Sequence, residues 1–370
     1  MGHRANEGAH SPRVWVLAQR GLSSAVARSG SIEFEDLIVS STNGTLIAPT
    51  TGRATAGLRR VQNVAGRRFR TASRIPTGLV VDDPGGECDL LVVVCSHQSD
   101  LRVVNALPNW RQRAAKKILW LEELWLDDVD RWPAYTELMS HFDHVFVGFE
   151  QASSAVAELT GTPTSYLPFG IDAEAFCPWP EPPARTIDVM NIGRRSPVTH
   201  RALMDRPDLF CHFDTTVMSA VRDPHEHRAQ FRAFAQRSRY FIVNRAKFTR
   251  DHFDTAPAEL GLRFFEGAAA GAVLIGDHPK TPTFEEHFGW QDSVIHQPVD
   301  APHIADVIDD LDSQPARLDA IRRRNVSQCL RHHDWAHRIV HIFRAAGLPL
   351  PPRLEQRLDE LDGMANLVAG

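Results

Sequence analysis

Asp89-Leu90-Leu91-Val92-Val93-Val94-Cys95 is an unbroken apolar run with three consecutive valines. A strand with one face in water alternates apolar and polar residues. A run with no alternation is buried on both faces, the condition of a parallel sheet covered by helices. The segments on either side follow the same reading. Upstream, Val14-Trp15-Val16-Leu17-Ala18 is a short apolar run, and Asp36-Leu37-Ile38-Val39 and Thr45-Leu46-Ile47-Ala48 are two further strand candidates. Between them and Asp89 lies a basic helix-and-loop segment, with seven arginines from Arg53 to Arg74. Downstream, a helical stretch over 101–115 leads to the strand Lys117-Ile118-Leu119-Trp120-Leu121. His144-Val145-Phe146-Val147-Gly148 is the next strand, followed by a helix over 151–159. Strands that alternate with helices predict a doubly wound α/β sheet.

The grammar stops and restarts once. Pro178, Pro180, Pro182 and Pro183 interrupt the chain, since proline continues neither a helix nor a central strand. Beyond them come the strands Ile187-Asp188-Val189-Met190-Asn191-Ile192-Gly193, Tyr240-Phe241-Ile242-Val243-Asn244, Ala272-Val273-Leu274-Ile275 and Ser293-Val294-Ile295-His296. Helices are expected over 262–270, 303–311, 316–331, 335–345 and 354–361. This predicts an N-terminal Rossmann-like domain over 1–177, a linker over 178–185, a second Rossmann-like domain over 186–348 and a helical tail over 349–370. Two such halves enclose a cleft, and ligands of open parallel sheets sit at the carboxyl ends of the strands.

Composition narrows the classes. Of 370 residues, 43% are hydrophobic and 24% charged, which is a folding composition. A net charge of −5 gives no strong nucleic-acid signal. No apolar stretch is long enough to span a bilayer. Met1 to Ser11 is polar, without a signal core, and the cysteines Cys88, Cys95, Cys177, Cys211 and Cys329 never form a C-x-x-C. Reduced cysteines and a cytoplasmic location are the expectation. The signatures of P-loop nucleotidases, dinucleotide-binding dehydrogenases and nucleophile-elbow hydrolases are absent from the sequence.

Two segments point to a family. Phe142-Asp143-His144-Val145-Phe146-Val147 continues to Tyr166-Leu167-Pro168-Phe169-Gly170-Ile171-Asp172 and Phe176-Cys177-Pro178. This resembles the end of the N-terminal domain of GT-B glycosyltransferases. Arg263-Phe264-Phe265-Glu266-Gly267-Ala268-Ala269-Ala270-Gly271 resembles the R-x-x-E-x-x-A-x-G stretch of family-1/family-4-like GT-B enzymes. The branch resembling the spore-maturation CgeB glycosyltransferases matches best, and Ile192-Gly193-Arg194-Arg195 is similar to the families' G-R turn. The resemblance implies two Rossmann-like domains facing a cleft and a hexosyltransferase-like activity, with acceptor binding in the first domain and nucleotide-sugar binding in the second. It also implies a co-substrate rather than a cofactor, and a lean toward retention of anomeric configuration.

The residues fit that chemistry. A nucleotide-sugar leaves as a diphosphate whose charge grows as the glycosidic bond breaks, and basic groups or helix N-termini can neutralise it. Gly193 allows close backbone approach, Arg194 and Arg195 offer guanidinium forks, and Asn244 ends a second strand of the same sheet. The resemblance puts Glu266 where a carboxylate accepts from the ribose hydroxyls. Gly267 lies in the small-residue run beside it, and Arg263 either faces phosphate or orients Glu266. Glu259 falls one residue short of the family's earlier glutamate. In the first domain His97 could contact donor sugar or acceptor, while Glu122 or Glu123 could take a proton from an acceptor hydroxyl. Trp120 and Trp125 read as core or as sugar platforms.

Asp128-Val129-Asp130 and Asp310-Leu311-Asp312 do not follow clear strands, and His333 and His337 lack a ligand set, so no metal is expected. The acceptor (small molecule, glycan or protein) stays open. The arginines from Arg53 to Arg74 read as a solvated face, or as contacts to an anionic acceptor or a phospholipid surface. A GT-B epimerase or hydrolase, and a non-catalytic nucleotide-sugar-binding module, are the rival readings.

Overall fold

The computed structural model describes residues 11–20, 22, 25–131, 133–214, 221–246 and 259–370. The apolar run at Asp89 lies in the long strand β5 (Cys88–His97), whose residues Leu90 to Cys95 have no exposure to solvent. Around it stand β1 (Val14–Leu17), β2 (Thr45–Ile47), β6 (Ala114–Glu123), β7 (His144–Val147) and β8 (Thr164–Tyr166). A small antiparallel pair, β3 (Thr50–Thr51) and β4 (Leu79–Val80), lies apart. The first sheet has the order β2-β1-β5-β6-β7-β8, every pairing parallel.

The second sheet repeats the plan with β9 (Ile187–Ile192), β10 (Cys211–Asp214), β11 (Ser238–Asn244), β12 (Val273–Asp277) and β13 (Ile295–His296). Its order is β10-β9-β11-β12-β13, again all parallel. In both sheets the order reverses beside the first strand, between β1 and β5 and between β9 and β11. A crevice forms at such a switch point, outside the strands' carboxyl ends. The proline segment carries no helix or strand and joins the two sheets.

Two expectations about local structure change. Asp36-Leu37-Ile38-Val39 is not a strand but part of the helix Ser29–Thr42. Phe34, Leu37, Ile38 and Ser41 are its buried residues at i, i+3, i+4 and i+7, a helical period that outweighs the short apolar run. The helix expected over 101–115 is instead a 3-10 stretch, Gln98–Ala106, and a single turn, Trp110–Arg113. Pro108 and the left-handed Asn109 (φ 54°) separate them. Ala114 and Ala115 already belong to β6.

The domains share a core. Leu90, Val92 and Val94 of the first sheet and Phe241 and Leu274 of the second lie in one apolar cluster, which also holds Phe34, Trp335, Ile339 and Phe343. The outer faces have cores of their own. The helix Trp335–Ala346, grouped with the second domain by its place in the chain, packs on Ser29–Thr42 and β6. The chain enters it through a parallel bridge between Ile171 and Asp334. Trp335 stacks on Phe34, with ring centroids 4.5 Å apart. Gly170 permits this approach, because a Cβ there would stand 2.6 Å from Trp335 Cε3. The final helix, Pro352–Ala369, spans both domains, touching Pro315–His332 and Ser29–Thr42. Among the described residues no helix is long and apolar enough to cross a membrane.

Candidate active site

A cavity of about 360 Å³ opens between the domains, within the range of small-molecule sites. Carboxyl ends of both sheets reach it. The second domain contributes Ile192-Gly193-Arg194 after β9, Asn244-Arg245-Ala246 after β11, and Gly261-Leu262-Arg263. The first contributes Ser96-His97 from β5, Glu122-Glu123 from β6, residues 25–28, Phe149 and Phe169. Of the site residues read from the sequence, Gly193, Arg194, Asn244, Arg263, His97, Glu122 and Glu123 meet here.

The second-domain wall is cationic. Gly193 takes a left-handed φ of 88°, a backbone that side chains rarely adopt. This turns the chain so that Arg194 faces the cavity. Arg195 points elsewhere, its guanidinium 5.7 Å from the centre of the Phe213 ring. The helix after this turn, Pro197–Met204, has its first amides occupied, since Ser196 Oγ accepts from Val198 N and Thr199 N. The helix Leu262–Ala269 has no side-chain cap at Gly261, and its first residues line the cavity. Its N-terminal end therefore brings the positive end of the helix dipole to the cavity. Arg245 pairs with Asp277 (2.9 Å) and Arg263 with Glu266 (2.6 Å). Asn244 Oδ1 accepts from Asp277 N (3.2 Å), which ties β11 to β12.

Glu266 and Gly267 lie behind this wall rather than in it. Glu266 is 1% exposed, and its two oxygens accept from Arg228 and Arg263. Arg228 in turn reaches Glu33 of the first domain (2.6 Å), whose other oxygen accepts from Trp335 Nε1 (2.9 Å). Gly267 faces Phe241 and Leu274 and lets the helix lie close on the sheet. Glu259 is buried, and its carboxylate accepts from the amides of Glu150 and Gln151 in the first domain (3.2 and 3.3 Å). Burial raises that carboxyl to about 7.

The first-domain wall is set by strand alternation. His97 and Glu123 are register partners on adjacent parallel strands, and Ser96 and Glu122, one residue earlier, point to the opposite face. There Glu122 accepts from Ser31 Oγ, which sits 2.9 Å from Ser96 Oγ. Burial raises the Glu122 carboxyl to about 7 despite the hydroxyl hydrogen bonds and the charge of Arg28 that lower it, and the Glu123 charge adds to the rise. His97 Nδ1 accepts from Ser99 N (3.3 Å), which orients the ring at the strand end.

Arg28, Ser31, Ser96 and Arg245 escaped the sequence reading. Ser96 and Arg245 adjoin residues that were singled out, so strand-end position was a usable signal. Arg28 and Ser31 carried none. Trp120 and Trp125 are core residues, 1% and 5% exposed. His333 and His337 bond to the backbone carbonyls of His287 and Leu330. Asp312 accepts from Arg239 and Tyr240, and Asp128 pairs with Arg131. Among the described residues no three potential ligands gather into a metal site.

A family model described as "Glycosyl transferase-like" matches residues 178–344. No curated protein matches the chain. Among solved structures, an alpha-glucosyltransferase in complex with UDP-glucose and DNA containing an abasic site superposes with a TM-score of 0.54 at 10% identity, covering 91% of this chain and 100% of that one. A glycosyltransferase from Rickettsia africae ESF-5 superposes at 0.50 and 11% identity, over 91% and 98%. The N-terminal domain of Candida albicans trehalose-6-phosphate phosphatase does so at 0.50 and 9% identity, over 94% and 99%. The chain has the fold of the GT-B glycosyltransferases, and its residues 178–344 match the glycosyl transferase-like family.

Proposed function

We propose that the protein transfers a sugar from a nucleoside-diphosphate donor to an acceptor hydroxyl. One observation carries the reading. Three arginines and a helix N-terminus line one interdomain cavity together with a buried carboxyl that burial raises to about 7. The donor diphosphate lies against Arg194, Arg245, Arg263 and the amides that open Leu262–Ala269. The acceptor enters along His97 and Glu122. Its hydroxyl proton passes to the Glu122 carboxylate, and its oxygen bonds to the anomeric carbon. The bond from that carbon to the diphosphate breaks. Charge gathers on the departing phosphate, and the guanidinium groups stabilise it more in the transition state than in the ground state. They supply the positive charge that a divalent ion would, so the reaction proceeds without one.

A base on the acceptor wall suits a single displacement with inversion. The stretch from Arg263 to Gly271, similar to that of family-4-like and CgeB-like enzymes, supports retention as the second reading. Incubation with a panel of nucleotide sugars and candidate acceptors, followed by proton NMR of the anomeric centre, tests transfer and separates the two. Donor hydrolysis or isomerisation without transfer, or binding with no turnover, would replace this function with one of its rivals.

A further inference from the structure

The segment after β2 is inside out. In the helix Thr55–Gly66, Gln62 and Gly66 are the buried residues. Gln62 Nε2 donates inward to Ile75 O (2.6 Å), and Asn63 Oδ1 accepts from Arg102 (3.4 Å). The apolar side chains face water instead: Val61 is 54% exposed, Val64 68%, Phe69 60% and, on β4, Val80 57%. Val61 and Val64 stand at i and i+3 on one face of the helix, and Arg67 and Arg68 follow at its C-terminal end. The arginines between Arg53 and Arg74 are all exposed. No aspartate or glutamate occurs between Asp36 and Asp82, in a chain whose net charge is −5.

A solvated arginine face does not need outward valines and a phenylalanine. A phosphate-tracking nucleic-acid face does not need them either, because its affinity comes from charge. Projecting apolar side chains interleaved with guanidinium groups match a bilayer interface, where acyl chains receive the first and anionic headgroups the second. We infer that this surface docks the protein on an anionic phospholipid membrane. The patch follows the carboxyl end of β2 and packs beside Gln98–Ala106, which follows the carboxyl end of β5. Docking therefore holds the membrane at the cavity end of the first sheet. The inference stands apart from the proposed chemistry, because it concerns binding alone.

The experiment is co-sedimentation of the full chain with vesicles of phosphatidylglycerol and phosphatidylcholine, beside vesicles of phosphatidylcholine only. Binding to the anionic vesicles, weak binding to the neutral ones and release at 1 M salt are expected. Arg59→Gln with Arg60→Gln should weaken binding about 25-fold, at about fivefold per arginine. Val64→Ser with Phe69→Ser should weaken it while leaving the salt dependence, and thermal melting should confirm that both double variants fold. No sedimentation with anionic vesicles would overturn the proposal. So would unchanged binding by folded variants, or binding to a DNA duplex in place of vesicles.

Discussion

Replacing Glu266 with alanine should destabilise the protein, and the network around it sets the amount. Glu266 is 1% exposed and accepts from Arg228 and Arg263. Arg228 is partly buried, its side chain 12% exposed, above the Phe176 ring (4.7 Å), and burial favours its neutral form while the charges of Glu33 and Glu266 oppose that. Removing one partner of a buried ion pair costs about 3–5 kcal/mol, because the other charge stays desolvated. Arg228 keeps Glu33 at 2.6 Å, so the lower end applies, about 3 kcal/mol. Unfolding entropy of about 2.1 cal/mol/K per residue then converts this to a fall in Tm of about 4 °C. Differential scanning calorimetry reads it directly. Arg263→Ala is the control, since that side chain is 33% exposed and lines the cavity. Its Tm should fall by less than that of Glu266→Ala, because the lost side chain is partly solvated and Glu266 keeps Arg228, while affinity for a nucleoside diphosphate falls. If Glu266→Ala melts like the wild type yet loses nucleotide affinity, the carboxylate is a ligand and not the anchor of Arg228 and Arg263.

The remaining expectations concern turnover. Arg194→Ala should slow single-turnover transfer about ten- to a hundredfold, the worth of a charge-assisted hydrogen bond of about 1.5–3 kcal/mol. Arg195→Ala should change it far less, because that guanidinium rests on Phe213; equal effects would misplace the phosphate. Glu122→Gln should cost about 10²–10⁴ in rate. A base works ionised, so the wild-type rate should climb as pH rises through about 7, and the variant should lose that limb. Ser31→Ala withdraws a hydrogen bond from the ionised carboxylate, so it should move the limb to higher pH; a pH profile unchanged in both variants would exclude Glu122 as the base. Turnover should survive EDTA, and rescue of a chelated enzyme by manganese would refute transfer by arginines alone.

Much of the architecture was legible from local pattern. The unbroken run at Asp89, the strands at Lys117, His144, Ile187, Tyr240 and Ala272 and the proline break all report burial or chain stiffness, properties of neighbouring residues. The strand ends then located most of the cavity, because parallel sheets deliver their carboxyl ends to one side. The segment at Asp36 failed because a run as short as Leu37-Ile38-Val39 fits a buried strand or a buried helix turn equally well. The role of Glu266 lay beyond any local signal. Its partner Arg228 is 38 residues away, and Glu33 lies 195 residues beyond Arg228. Ser31, which accompanies Glu122, is separated from it by 91 residues. Side chains so far apart share no period or spacing in the sequence. Burial raised the Glu122 carboxyl and pairing gave Glu266 its two arginines, and the first helix takes part in both, through Ser31 beside Glu122 and Glu33 beside Arg228.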